Sequence, residues 1–158
     1  MQAAALADPV VGSRFTAVAP LRVLDTRDGV GRSGTLGAQQ SFVLSLGSSV
    51  PADVTAVVLN LTGTAPTAST FVTVWPDGAP WPTASNLNLA AGQTTPNLVT
   101  VALGTGKKPA LYNNSGAVHL IAGLAGYYAT CSGAGFGAAP PSRVLDTRTG
   151  VSGCARAR

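Results

Sequence analysis

An antiparallel β-sandwich of jelly-roll-like type, with little or no helix, is the fold this sequence predicts, and three observations predict it. Apolar residues recur with a period of two, as in Phe71-Val72-Thr73-Val74-Trp75, so successive side chains fall on opposite faces of an extended strand. The 19 glycines and 11 prolines of the 158 residues are scattered between short apolar runs, which is the punctuation of many tight turns. No long stretch repeats apolar residues at i, i+3 and i+4 without a Gly or Pro breaking it. A parallel β-solenoid is the competing all-β architecture, and the short repeat it requires is missing.

The elements follow in chain order. Residues 1–14 read as an N-terminal extension, 15–135 as the β module, and 136–158 as the start of a second repeat or a C-terminal extension. Strands are expected at Ser41–Leu46, Val54–Leu61, Phe71–Trp75, Asn86–Leu89, Asn97–Leu103, Ala110–Asn113 and Ala117–Leu124. Val54–Leu61 (VTAVVLNL) is β-branched and nearly continuous, as in a central strand buried on both faces. Turn chemistry separates the runs: Gly47-Ser48-Ser49, Pro76-Asp77-Gly78, Ala91-Gly92-Gln93, Gly104-Thr105-Gly106 and Asn114-Ser115-Gly116.

One phrase occurs twice. Residues 15–30 read FTAVAPLRVLDTRDGV and residues 136–151 read FGAAPPSRVLDTRTGV, at the constant offset 146 − 25 = 121. Self-similarity at a fixed offset marks a tandem architecture, so the phrase reads as a building unit rather than a unique active site. Within it, Asp25 is placed to accept the following backbone amides and close an Asx turn into Asp28-Gly29. Strict alternation puts Arg22 and Arg27 on opposite faces, with Arg27 and Asp25 sharing one. A fastening role for Arg22, Asp25 and Arg27, repeated in Arg143, Asp146 and Arg148, is preferred to a carboxylate- or sugar-binding role.

Composition excludes several classes. With 46% hydrophobic and 10% charged residues the chain does not have the make-up of a disordered segment. It contains no Glu and only two lysines, Lys107 and Lys108, so Thr, Ser, Asn, Gln and Gly must cover its surface. The net charge of +4 is dispersed rather than gathered in a stripe interleaved with aromatics, which argues against a nucleic-acid partner. The longest apolar run, Val118–Ala129, falls short of the ~20 residues of a spanning helix, and no membrane insertion is expected. Met1–Asp8 reads as the remnant of a processed leader or as a flexible extension.

Cys131 and Cys154 match no zinc or redox spacing and are expected to form one disulfide, the alternative being two unrelated thiols. No metal or other cofactor is expected. Catalysis is not expected either: His119 is the only histidine, no G-x-S-x-G elbow offers a nucleophile, and only Asp53 and Asp77 lie outside the repeated phrase and the N-terminal tail. A ligand platform is the alternative left open, behind a purely structural role, because Trp75 and Trp81 flank WPDGAPWP with Asn86 and Asn88 close behind. Exposed indole faces stack on sugar rings while amides bond their hydroxyls. The competing reading has prolines stacking on tryptophan while one ring plugs the sandwich. Asn60, Asn97, Asn113 and Asn114 are expected to bond loop backbone. Asn60-Leu61-Thr62 and Asn113-Asn114-Ser115 also fit the short glycosylation acceptor pattern.

The order PLRVLDTR (20–27), VPADVTAVVLNLT (50–62), TFVTVWPDG (70–78), SNLNLAAGQTTPNLVTV (85–101) and LYNNSGAVHLIAGLAGYY (111–128) resembles a repeat of secreted actinobacterial proteins. In that family P-x-R-x-L-D-T-R is followed by N-L-T, S-N-L-N, N-L-V and a closing G-Y-Y. The resemblance implies a secreted, extracellular β module arrayed in tandem, without a general catalytic activity. Gly123 departs from the pattern, since the family usually carries an acidic residue there, and any role of that acid does not transfer. The expected function is therefore a non-catalytic structural module of a surface or filamentous assembly, whose partners are copies of itself or neighbouring repeats. The alternative is a carbohydrate-binding adhesion module for a cell-surface glycan.

Overall fold

The computed structural model of the chain describes residues 12–131, 133 and 134, and the backbone of residues 145–146 and 151–152. Among these residues lie ten strands: β1 (Arg14–Asp25), β2 (Gln40–Val43), β3 (Val54–Thr64), β4 (Thr70–Pro76), β5 (Leu87–Leu89), β6 (Thr95–Ala102), β7 (Pro109–Asn113), β8 (His119–Ala129), β9 (Leu145–Asp146) and β10 (Val151–Ser152). Helical structure among them is limited to two single 3-10 turns, Gly47–Ser49 and Thr105–Lys107. No described helix is long and apolar enough to cross a membrane.

Strands β1 to β8 form two antiparallel four-stranded sheets, ordered β1-β8-β3-β6 and β2-β7-β4-β5. Their facing sides supply one core: Leu24, Val57, Leu59, Leu61, Leu120 and Leu124 from the first sheet meet Val72, Val74, Leu87, Leu89 and Leu111 from the second. Leu36, Leu44, Leu46 and Val118 fill the ends between them. The chain is an antiparallel β-sandwich, and the period-two pattern is the reason: alternate residues of each strand reach the inner face. Each fully buried leucine contributes about 2 kcal/mol of transfer free energy, so this layer holds the sheets together.

Several strands differ from the sequence expectation in ways that have local causes. β3 does sit inside its sheet, between β8 and β6, but only its inner row is continuous. Outward-facing Val58 is buried while Asn60 is exposed, so the strand is not covered on both faces. β2 stops at Val43, yet Leu44 and Leu46 still enter the core from the irregular segment that follows. β8 runs on to Ala129 because it pairs with β1 on one side and β3 on the other. Gly104 is required where the chain turns from β6 to β7. A Cβ there would collide with the backbone carbonyl of Asp77.

β1 is a strand in two halves. Arg14 to Ala17 pair with Ala129 to Gly126, the ladder then breaks at Val18-Ala19-Pro20, and pairing resumes from Leu21 opposite Leu124. A second irregularity follows, because Arg22 faces Gly123 while Leu24 faces Ala122, which leaves Val23 as an extra residue. That bulge buries Val23, Leu24 and Asp25 in succession. The strand then turns at Thr26–Gly29 and closes on itself through paired backbone hydrogen bonds between Asp25 and Val30, of 2.9 and 3.0 Å.

Candidate functional site

The phrase at 22–30 builds a charged node around one carboxylate. Asp25 is 2% exposed. Its Oδ1 accepts the Arg27 backbone N–H at 3.1 Å and the Arg27 Nε–H at 2.9 Å. Its Oδ2 accepts Arg27 Nη2 at 2.8 Å and Arg22 Nη1 at 2.6 Å. The Asx turn forms, and Arg27 grips both oxygens in a fork. The two arginines are not on opposite faces. The bulge at Val23 shifts the strand parity by one residue, so Arg22 and Asp25, three apart, lie on the same side.

The side-chain hydrogen bonds from Arg27 hold the Asp25 carboxyl well below the usual carboxylate range, against the opposing effect of desolvation. The Arg27 amide and the charges of Arg27 and Arg22 add to that lowering. Asp25 in turn raises the Arg27 guanidinium above its ordinary value. Both guanidinium groups remain half-exposed. The carboxylate therefore has its acceptors filled from within the chain, which suits a fastening more than a ligand site.

Thr26, the next residue, locks the phrase to β8. It is buried, its Oγ1 accepts the Leu120 N–H at 3.0 Å, and it lies 2.9 Å from His119 Nδ1. Its backbone N–H reaches the Leu120 carbonyl at 3.0 Å. Gly31 closes the seat at φ +70°, where a Cβ would meet the Val23 carbonyl oxygen at 2.6 Å. His119 and Thr26 carry no motif of their own in the sequence. Only the 93-residue separation closed by the fold reveals the pair.

The second copy of the phrase repeats the local backbone. β9 and β10 pair antiparallel with Asp146 opposite Val151, and Asp25 opposite Val30 is the same pair moved by the 121-residue offset. The side chains of Arg143, Asp146 and Arg148 lie outside the described residues.

The aromatic patch lies on the outer side of the other sheet. The segment from Asp77 to Asn86 folds back over β4 and β7, so the Trp75 and Trp81 rings stack with centroids 6.3 Å apart and planes 12° from parallel. Trp81 also leans on Tyr112 at 4.1 Å. Neither tryptophan enters the core, and the rings stack on each other instead of plugging the sandwich. Trp81 is 52% exposed beside a shallow groove of about 480 Å³ lined with Phe71, Pro82, Thr83 and Ala84. The amide acceptors are engaged internally. Asn86 Oδ1 takes the Val74 N–H at 2.7 Å, and Asn88 Oδ1 takes the Ser85 hydroxyl at 3.1 Å.

A larger groove, about 600 Å³, crosses the outer face of the first sheet. Gly123 forms its floor, exposed Leu21 and Leu98 its walls, and Arg22, Asn60 and Thr62 its polar edge. The position where the resemblance leads one to expect an acid is thus open, and a Cβ at Gly123 would meet nothing within 4 Å.

Asn113 bonds loop backbone, as its sequence setting leads one to expect. It is fully buried, with Oδ1 accepting the Thr70 hydroxyl at 2.7 Å. Its Nδ2 faces the carbonyls of Leu36, Gly37, Ser115 and Gly116 at 3.0 to 3.2 Å. Burial closes this acceptor pattern to glycosylation in the folded chain, whereas Asn60 is exposed.

The expected disulfide is not seen. Cys131 is an exposed free thiol whose backbone N–H is held by Asp53 Oδ2 at 2.8 Å, and Cys154 lies outside the described residues. Among the described residues no three His, Cys, Asp or Glu side chains gather as metal ligands would. No protein-family model matches the sequence, and no curated protein is similar enough to count as a relative.

Proposed function

We propose that this chain is a non-catalytic structural module of a secreted or surface-displayed assembly, which associates with copies of itself or with neighbouring repeats. The observation that carries the reading is the recurrence of one hairpin at a fixed offset, with Asp146 opposite Val151 as Asp25 is opposite Val30. A unit that recurs with its local geometry is a construction element. The Glu-free, lysine-poor composition supports it, because neutral hydroxyl-rich surfaces pack without charge repulsion. The resemblance to tandem repeats of secreted proteins points the same way. Electron microscopy with mass measurement on the purified chain should show filaments or discrete oligomers. Truncation after Gly135 should reduce them to monomers or unfold the domain. If full-length and truncated chains are both stable monomers at high concentration, the self-association reading is wrong.

Exposed Trp81 favours a second reading, a carbohydrate-binding accessory module. Its free face and adjacent groove would stack on a sugar ring, an interaction concentrated in one or two aromatic side chains. Trp81→Ala should then lower affinity for a cell-wall or glycan preparation by about tenfold or more while the melting curve holds. Absence of any glycan binding by the unmodified chain ends this alternative.

A further inference from the structure

We infer that the seat on β8 now filled by residues 22–27 also accepts residues 143–148 of a second copy, so that copies join by exchanging the repeated phrase. This names the contact on which the self-associating reading would rest. The seat is built from Gly123, Ala122, Ile121 and the backbone of Leu120, against which Arg22, Leu24, Asp25 and Thr26 are aligned. The side chains of RVLDTR at 22–27 recur at 143–148, so the exchanged part is this hexapeptide; the place equivalent to Gly31 is Ser152. The Asp–Arg node, the Thr hydroxyl for Leu120 and His119, and the bulged valine are therefore all available in the second copy. Exchange leaves the seat's own bonds unchanged in kind, which is the condition under which identical elements swap between protomers.

Three further observations favour exchange between chains. The second phrase already carries the Asp–Val backbone pairing of the first. Its local shape need not be created on docking. β1 is interrupted at Val18-Ala19-Pro20, so its second half can leave β8 while Arg14–Ala17 stay paired. Finally, Ala134 pairs with Phe15 antiparallel to β1, through bonds of 3.0 and 3.2 Å. At that point the chain is heading off the start of β1, away from Asp25. Ala134 to Arg143 spans at most about 30 Å, and about 23 Å of that would be spent returning along β1 from Phe15 to Arg22. Little of that reach is left for the reversal.

A cross-link tests this in a chain whose first phrase is untouched. Because Arg22 faces Gly123, an exchanged phrase places Arg143 opposite Gly123 of the other copy. In a Cys131→Ser, Cys154→Ser background, Gly123→Cys with Arg143→Cys should yield disulfide-linked dimers whose fraction grows with protein concentration. Arg148 remains to grip Asp146, as Arg27 supplies three of the four hydrogen bonds to Asp25. Adding Asp146→Ala should lower the dimer fraction, and adding Asp25→Ala should raise it, each by roughly tenfold, as expected for loss of a charge-assisted hydrogen-bond set. No cross-link, a cross-link only within one chain, or one indifferent to Asp146→Ala overturns the inference. Mass measurement separates the two readings: chains that assemble without ever forming the cross-link leave self-association standing and remove the seat, whereas chains that neither assemble nor cross-link remove both.

Discussion

Asn113→Ala should be among the most damaging single substitutions in this protein, lowering stability by about 3–4 kcal/mol and the melting temperature by roughly 10 °C or more. The amide sits at 0% exposure, and its Nδ2 serves four carbonyls that belong to two separate loops, Leu36-Gly37 and Ser115-Gly116. Removing it does not strand all of them equally. The Leu36 carbonyl still accepts the Val118 N–H, and the Gly37 carbonyl the Gln40 N–H. Those of Ser115 and Gly116 lose their described partner, and the Thr70 hydroxyl loses its best acceptor while still holding the Ser115 amide at 2.9 Å. Asn113→Asp is the sharper comparison, because it keeps the shape and replaces the donor with an oxygen facing carbonyl oxygens. It should be at least as destabilising as Asn113→Ala. Thermal unfolding followed by tryptophan fluorescence checks both, and an Asn113→Asp chain that melts within a degree or two of the parent would refute the account.

Where the sequence was informative, physics of short range decided the outcome. Alternation in Phe71–Trp75 and Asn97–Leu103, with turn residues between, leads directly to β4 and β6, because burial of one face needs only a local pattern. The Asx turn at Asp25 was legible for the same reason, since the accepted amide is two residues away. Arg22 was misplaced because an inserted residue reverses every parity argument beyond it, and nothing in RVLD announces that Val23 is the insertion. The bonds from Asn113 to the Ser115 and Gly116 carbonyls are local and legible, but the Thr26–His119 contact and the reach of Asn113 to Leu36 depend on pairings across 93 and 77 residues, which no window of sequence contains. The two tryptophans are visible in the sequence as a pair flanking one loop, but their mutual stacking is not, because it requires the loop after β4 to fold back over its own sheet.

Asp25→Asn should convert a pH-dependent fastening into a weaker, pH-independent one. In the folded chain the carboxyl is held below its ordinary value of 3.8, chiefly by the Arg27 side chain, whereas the unfolded chain releases that constraint. The depressed folded-state value fixes the sign. Above about pH 4 both states are ionised and the node contributes its full stability; as pH falls below about 4, the unfolded state takes up the proton first and the contribution drains away. The parent should therefore lose stability on acidification, and the gap between it and Asp25→Asn should narrow steadily below about pH 4. At neutral pH, Asp25→Asn and Arg27→Ala should both melt well below Arg22→Ala, since Arg27 makes three hydrogen bonds to the carboxylate and Arg22 one. Salt should weaken the difference only in part. The guanidinium groups are half in solvent and screened, but the carboxylate is not. Urea midpoints across pH 2.5–7 for the three variants and the parent give the measurement. A constant gap between the parent and Asp25→Asn over that window would show that the ion pair does not hold the phrase. The bulged valine and the Thr26 hydroxyl would then be what seats it on β8.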